Sequence, residues 1–151
     1  MKRNPALQSL SMEHHRSLSL AVKAMRTARG DDEAAKRALC AQIVAEYPLL
    51  WRPHFDAEER CLFAPFRDLD PEIARLCDRL ADEHRSFDAW VEQMRRGDCS
   101  ELEAFGELLQ SHTRLEERQL FGMIEEWLDG EQQCSLKSCL DQCQKSGPGP
   151  V

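Results

Sequence analysis

A ten-residue pattern occurs twice in this chain, and it restricts the fold more than any other feature. Residues 54–63 read HFDAEERCLF and residues 112–121 read HTRLEERQLF, so both are H-x-x-x-E-E-R-x-L-F. His54 and Glu58 recur on a stripe with Leu39, Ile43, Tyr47, Trp51 and Leu62, and His112 and Glu116 on a stripe with Phe105, Leu109, Leu120, Met123 and Trp127. Steps of three and four residues are the signature of a helix that buries one face. A histidine and a glutamate four apart lie one turn above each other, about 6 Å along the axis. The repeat therefore sets an imidazole and a carboxylate where a helix should bury leucine.

The remaining segments are also helical in pattern, and strand alternation is nearly absent. A first helix is expected from about Ser11 to Arg29, capped at Ser11, stopped by Gly30, with Leu18, Val22 and Met25 on its apolar side. A second begins near Asp32 and ends near Ala64-Pro65, and Pro48 and Pro53 can bend it and free a carbonyl. A third runs from Pro71 to about Arg96 with the stripe Ile73, Leu76, Leu80, His84, Phe87, Val91 and Met94, and Gly97-Asp98 turns the chain. The fourth runs from about Ser100 to Leu128, and Gly130 closes it. Short connections favour antiparallel neighbours, so the expected fold is all-α, an up-down-up-down four-helix bundle over residues 1–130. Residues 131–151 form a cysteine-containing tail, with a short fifth helix and then a disordered end.

One core position of this kind is tolerable at a helix end, but His54, Glu58, His84, His112 and Glu116 form a set. Burying a polar group without a partner costs roughly 2–7 kcal/mol, so five must satisfy one another, and metal ions are the economical way. Imidazole with carboxylate and no cysteine at matching spacing suits iron, manganese or zinc. Two ions with carboxylates between them favour iron or manganese over structural zinc. The first helix offers Glu13-His14-His15, where both histidines flank the apolar stripe and geometry does not choose between them. No phosphate-binding glycine loop, G-x-S-x-G or H-E-x-x-H is present, which removes the usual footing for phosphoryl transfer or serine hydrolysis.

With EHHRSL at 13–18, HFDAEERCLF at 54–63, DEHRSF at 82–87 and HTRLEERQLF at 112–121, the chain resembles the hemerythrin-like, or HHE cation-binding, proteins over about its first 130 residues. The resemblance implies a non-haem centre of two iron ions with an oxo or hydroxo bridge and two bridging carboxylates, manganese or zinc being less expected. By position it implies His15 as the first-helix ligand, with His54 and Glu58, His84, and His112 and Glu116 from the other three. The oxygen-carrying members use two third-helix histidines four apart, where this chain has Leu80 or Asp88 beside His84. They also place the last acid five after its histidine, which here is Glu117. Glu83, His14 or a water is then expected to complete the ligand set. A centre that reacts with dioxygen, peroxide or nitric oxide fits better than a stable carrier, with an iron, oxygen or redox sensor, or a zinc-bearing structural bundle, as alternatives. Whether it is an enzyme is left open.

Other residues carry plainer expectations. Glu59 and Glu117 read as a solvated face beside Arg60 and Arg118, Glu13 and Glu83 as capping or orienting groups. Tyr47 and Trp51 read as core, with the lining of a small-molecule path as the alternative. The seven cysteines read as free thiols, with Cys134, Cys139 and Cys143 a loose tail set that could form a redox pair or bind a soft metal. The 20 Lys+Arg against 27 Asp+Glu argue against a nucleic-acid partner. No stretch is apolar enough for a membrane span, and a cytoplasmic location is expected. The expected partners are a small diatomic or peroxide ligand and a protein partner or second copy.

Overall fold

The computed structural model describes residues 3–145, so the expected disordered end at 146–151 lies outside the described residues. A 3-10 turn, Pro5–Leu7, leads into α1 (Gln8–Arg29). The Asn4 side chain caps that turn by accepting from the Ala6 N–H at 2.9 Å, so the helical start precedes the expected Ser11 cap. Helix α2 covers residues 33–66; Asp32 caps it through the Ala35 N–H at 3.0 Å. Helix α3 is Pro71–Arg95, capped by Asp70 on the Glu72 N–H at 2.8 Å. Gly97, at φ +90°, takes the left-handed turn that a side chain resists. Helix α4 covers residues 102–125, short of the expected Leu128, and α5 is Gly130–Lys145. The chain is all-helical among the described residues, and no described helix is long and apolar enough to cross a membrane.

Two helices are not regular. Helix α2 widens into π turns at Tyr47–Trp51 and Glu58–Phe63, and α4 does so at Glu116–Leu120. A proline ring crowds the carbonyl four residues before it. For Pro53 that carbonyl belongs to Leu49, and for Pro65 to Cys61, each inside one of the α2 π turns. No proline accompanies the turn in α4.

The core is divided. One apolar cluster contains Leu7, Leu10, Leu62, Ile73, Leu80 and Phe121, and a second contains Ala21, Ile43, Phe55, Phe87, Phe105 and Leu109. Along α1 and α3 the residues of the first cluster precede those of the second, and along α2 and α4 they follow them. Between the clusters each helix passes through one layer of buried polar residues: His14, His54, Glu58, His84, His112 and Glu116. Helix α1 packs on α4 at close range, since a Cβ on Gly106 would meet the Ala21 carbonyl oxygen at 2.8 Å. That approach explains why the buried face of α1, which is Leu10, His14, Ser17, Leu20, Ala21 and Ala24, is half small residues, while Val22 is 40% exposed. Trp127, placed on the α4 stripe by spacing, is likewise exposed, beyond the helix end.

Helix α5 lies against α2 and the N-terminal turn, inserting Leu136 and Leu140 into the first cluster. This brings Cys139 to Cys61 with Cα atoms 5.7 Å apart, and the two form a disulfide. The expectation of seven free thiols is thereby corrected: α5 is a packed element, not a loose tail. Cys134 is exposed and takes no part.

Candidate metal centre

Glu58 and Glu116, which open two of the three π turns, occupy the middle of the polar layer, both 0% exposed. Glu58 faces two histidine pairs with different oxygens. Its Oε2 lies 3.5 Å from His14 Nε2 and 3.3 Å from His54 Nε2. Its Oε1 lies 3.1 Å from His84 Nε2 and 3.9 Å from His112 Nε2. Glu116 Oε1 sits 2.8 Å from His112 Nε2 and 3.8 Å from His14 Nε2, so it too reaches both pairs. The donors fall into two groups of metal-ligating size, His14–His54–Glu58 and Glu58–His84–His112, sharing one carboxylate.

The outer ring nitrogens are fixed by a second set of acids. His54 Nδ1 pairs with Glu13. His84 Nδ1 pairs with Glu59 at 3.0 Å, His112 Nδ1 with Glu83 at 2.9 Å, and His14 Nδ1 with Glu117 at 2.7 Å. Each helix thus lends one carboxylate to the histidine of the next: α1 to α2, α2 to α3, α3 to α4, α4 back to α1. A carboxylate that accepts from Nδ1–H fixes the tautomer and turns a basic Nε2 inward, the arrangement used behind metal-bound histidines. Two of these acids are themselves anchored, Glu117 by Arg3 at 3.1 Å and Glu83 by Arg79 at 3.2 Å.

The repeat now has a complete local meaning. Its histidine and first glutamate point inward, while its second glutamate and closing phenylalanine clamp a histidine on a neighbouring helix. Glu59 holds Nδ1 of His84 while Phe63 stacks on that ring, centroids 5.7 Å apart. Glu117 and Phe121 do the same for His14, with the rings 5.5 Å apart. Phe55 stacks on the other side of His84 at 4.2 Å.

Electrostatics follow this geometry. Burial opposes charge on the imidazoles, but the facing carboxylates outweigh it: His14 is raised to about 9 and His54 to about 10, and His84 and His112 are raised as well. Burial also opposes charge on Glu58, yet the surrounding imidazoles, His54 foremost, hold its carboxyl well below the usual range. Glu116 moves upward, through burial and then the negative Glu58 beside it. Even so, His14 Nε2, Glu58 Oε2 and both Glu116 oxygens lack any hydrogen-bond partner. Buried donors and acceptors are rarely left so. Four orphaned atoms aimed into one layer, all nitrogen or carboxylate oxygen, are the donor set that a hard or borderline cation takes.

Of the sequence candidates, His54, Glu58, His84, His112 and Glu116 meet in this layer. His15 does not: it is exposed, in a surface groove with Leu18 and Val22, and His14 occupies the inward place. Glu13, Glu83 and Glu117 stand behind histidines. Glu59 and Glu117, both read as solvated acids, each hold a histidine Nδ1; their identical place in the repeat was the available signal. A cavity of about 210 Å³ reaches the layer at His54 and Glu13, lined also by Trp51, Leu10, Arg16 and Cys143. Trp51 therefore lines a path, whereas Tyr47 does not: its hydroxyl bonds Asp88, which also holds Arg52 at 2.6 Å. Cys139 and Cys143 lie with Cys61, outside the layer.

The family profile of the hemerythrin HHE cation binding domain matches residues 7–124, from the 3-10 turn to the last turn of α4, and so takes in all six inward donors. Neither a curated protein nor a solved structure matches the chain.

Proposed function

Given that the chain belongs to the hemerythrin HHE cation-binding domain family, we propose that it is a non-haem diiron protein that binds or reacts with dioxygen, peroxide or nitric oxide. The observation that carries this reading is Glu58, whose two oxygens face separate histidine pairs. A single-ion site has no use for a second pair on the far side of its carboxylate. An antiparallel four-helix frame is the arrangement the reading requires, since it brings α1 and α2 to one ion and α3 and α4 to the other.

His14 and His54 would hold one ion, His84 and His112 the second, with Glu58 and Glu116 shared between them. A pair of irons, when bound, supplies reversible electron change and an electrophilic place for a diatomic or peroxide. The chain's own groups do the rest. Glu13, Glu59, Glu83 and Glu117 hold the Nδ1 protons and keep each Nε2 directed inward. The phenylalanine faces on His14 and His84 exclude water from that part of the layer. The cavity at His54 has room for a molecule of a few atoms. Besides the shared carboxylates each ion would have two histidines, so each would keep room for such a ligand.

The test is metal analysis joined to an optical spectrum after anaerobic Fe(II) loading and exposure to air, with and without azide. Two irons per chain and an azide-sensitive visible band are expected. One zinc per chain, with no visible band after iron loading, would overturn the reading. A sensor role for the same centre is favoured by one contact, the packing of α5 on the π turn that begins at Glu58. It predicts slower amide exchange in residues 131–143 on iron loading, and unchanged exchange there would remove it.

A further inference from the structure

Three sulfurs meet where α5 crosses α2. Cys61 lies in the π turn three residues after Glu58 and is 1% exposed. Cys139 and Cys143 are four apart on α5, hence on one face of that helix. Cys61 is bonded to Cys139, while the Cys143 Sγ stands 3.7 Å from the Cys61 Sγ as a free thiol. The two tail cysteines open to different spaces. Cys139 lines an outer groove of about 390 Å³ with Phe66, Leu69, Asp129 and Leu136. Cys143 lines the cavity that reaches His54 and Glu13. Cys61 is the sulfur that both can reach.

We propose that Cys61, Cys139 and Cys143 form a thiol–disulfide relay that shifts a disulfide between the outer groove and the cavity beside the polar layer. The Cys143 thiolate attacks Sγ of Cys61. The Cys61–Cys143 bond forms as the Cys61–Cys139 bond breaks, and Cys139 leaves as a thiolate and takes up the proton Cys143 gave up. No electrons are gained or lost, and the reverse step follows the same line. The relay couples to solution at the groove. There a small external thiol attacks Cys139 and forms a mixed disulfide, releasing Cys61 as a thiolate. A second external thiol then attacks the first, leaving Cys139 reduced and one external disulfide formed. The external thiols are oxidised and the protein disulfide is reduced, two electrons in each direction. The inference rests on the sulfurs alone, so its failure would leave the metal reading untouched.

Non-reducing peptide mapping of the full chain in glutathione buffers tests it. Disulfide-bearing wild-type protein, treated with iodoacetamide, is expected to carry label on both Cys143 and Cys139, because exchange exposes each in turn. In Cys139→Ser the same buffer is expected to give a Cys61–Cys143 disulfide, and in Cys143→Ser the Cys61–Cys139 bond alone. Label on Cys143 but never on Cys139 in the wild type would overturn the relay. So would a Cys139→Ser chain that gains only glutathione at Cys61 while Cys143→Ser closes its disulfide. The wild-type labelling needs no variant, so a misfolded variant does not shield the proposal.

Discussion

The two copies of H-x-x-x-E-E-R-x-L-F perform the same local task in different surroundings. Copy one, in α2, lies under α5: its Cys61 is buried and bonded to Cys139. Copy two, in α4, has Gln119 at that position, exposed to solvent. Their central glutamates also differ. Glu58 faces all four histidines and is held charged, whereas Glu116 is pushed upward by burial beside Glu58. One sequence pattern can thus place a carboxylate at the centre of charge balance in one helix and at its margin in the other. The position relative to the other three helices decides, not the motif.

The largest expected effect separates those two carboxylates. Glu58→Ala removes the group shared by both histidine pairs, and iron affinity is expected to fall by more than the roughly 100-fold upper cost of an outer-layer change. Glu116→Ala should retain more metal, since Glu58 still faces all four histidines whereas Glu116 reaches only His112 and His14. Iron per chain after desalting measures this, and equal losses would erase the distinction between the copies. Next in size is the first-helix choice. His14→Asn is expected to cost at least about tenfold in iron affinity, and His15→Asn nothing measurable; the reverse result would restore the assignment from resemblance.

That choice shows where the sequence stops being legible. His54, Glu58, His84, His112 and Glu116 were readable because each sits on a stripe of large apolar residues whose burial is unambiguous. In α1 the rule fails. Its close approach to α4 at Gly106 puts Ser17, Ala21 and Ala24 inside and leaves the larger Val22 exposed, so a stripe judged by side-chain size lies on the wrong face. The Glu-His pairs 13–14 and 83–84 are the better register, for each acid serves the histidine of the next helix. The π turns were partly legible: Pro53 marks the first, Pro65 reads only as the helix end, and nothing local marks the one in α4. The disulfide was illegible because it depends on how α5 docks, which spacing within α5 does not specify.

Smaller effects test the outer acids. Glu59→Gln and Glu117→Gln are each expected to weaken iron binding roughly 10–100-fold by freeing the ring of His84 or His14. Isothermal titration of the two variants compares the copies directly, and a loss confined to one would show that only that copy's clamp matters.

Without metal, the same histidines make stability depend on pH. His14 at about 9 and His54 at about 10 lie above their ordinary 6.5, so the folded state holds those protons more tightly than the unfolded state. Their contribution is fully present below about pH 6.5 and is lost as pH rises through about 9 to 10. Thermal melts of metal-free protein from pH 6 to 10 are expected to fall over that window. Metal binding needs the neutral rings, so iron affinity is expected to change in the opposite sense and rise with pH. A metal-free melting temperature that rises with pH would contradict the carboxylate cage around this pair.

The smallest effect concerns what sustains the π turns. In copy one, Pro65 crowds the Cys61 carbonyl and so favours a widened turn. In copy two the corresponding residue is Met123, and the turn at Glu116–Leu120 persists without a proline. Both turns begin at the inward glutamate and let the next residue reach a neighbouring helix, so the demands of Glu59 on His84 and of Glu117 on His14 suffice to hold them. Such turns cluster at functional sites for this kind of reason. Pro65 is exposed, so Pro65→Met tests the point without disturbing the core. Iron affinity should stay within about twofold of wild type. A loss approaching that of Glu59→Gln would mean that the proline builds the turn in α2 and the side-chain clamp only exploits it.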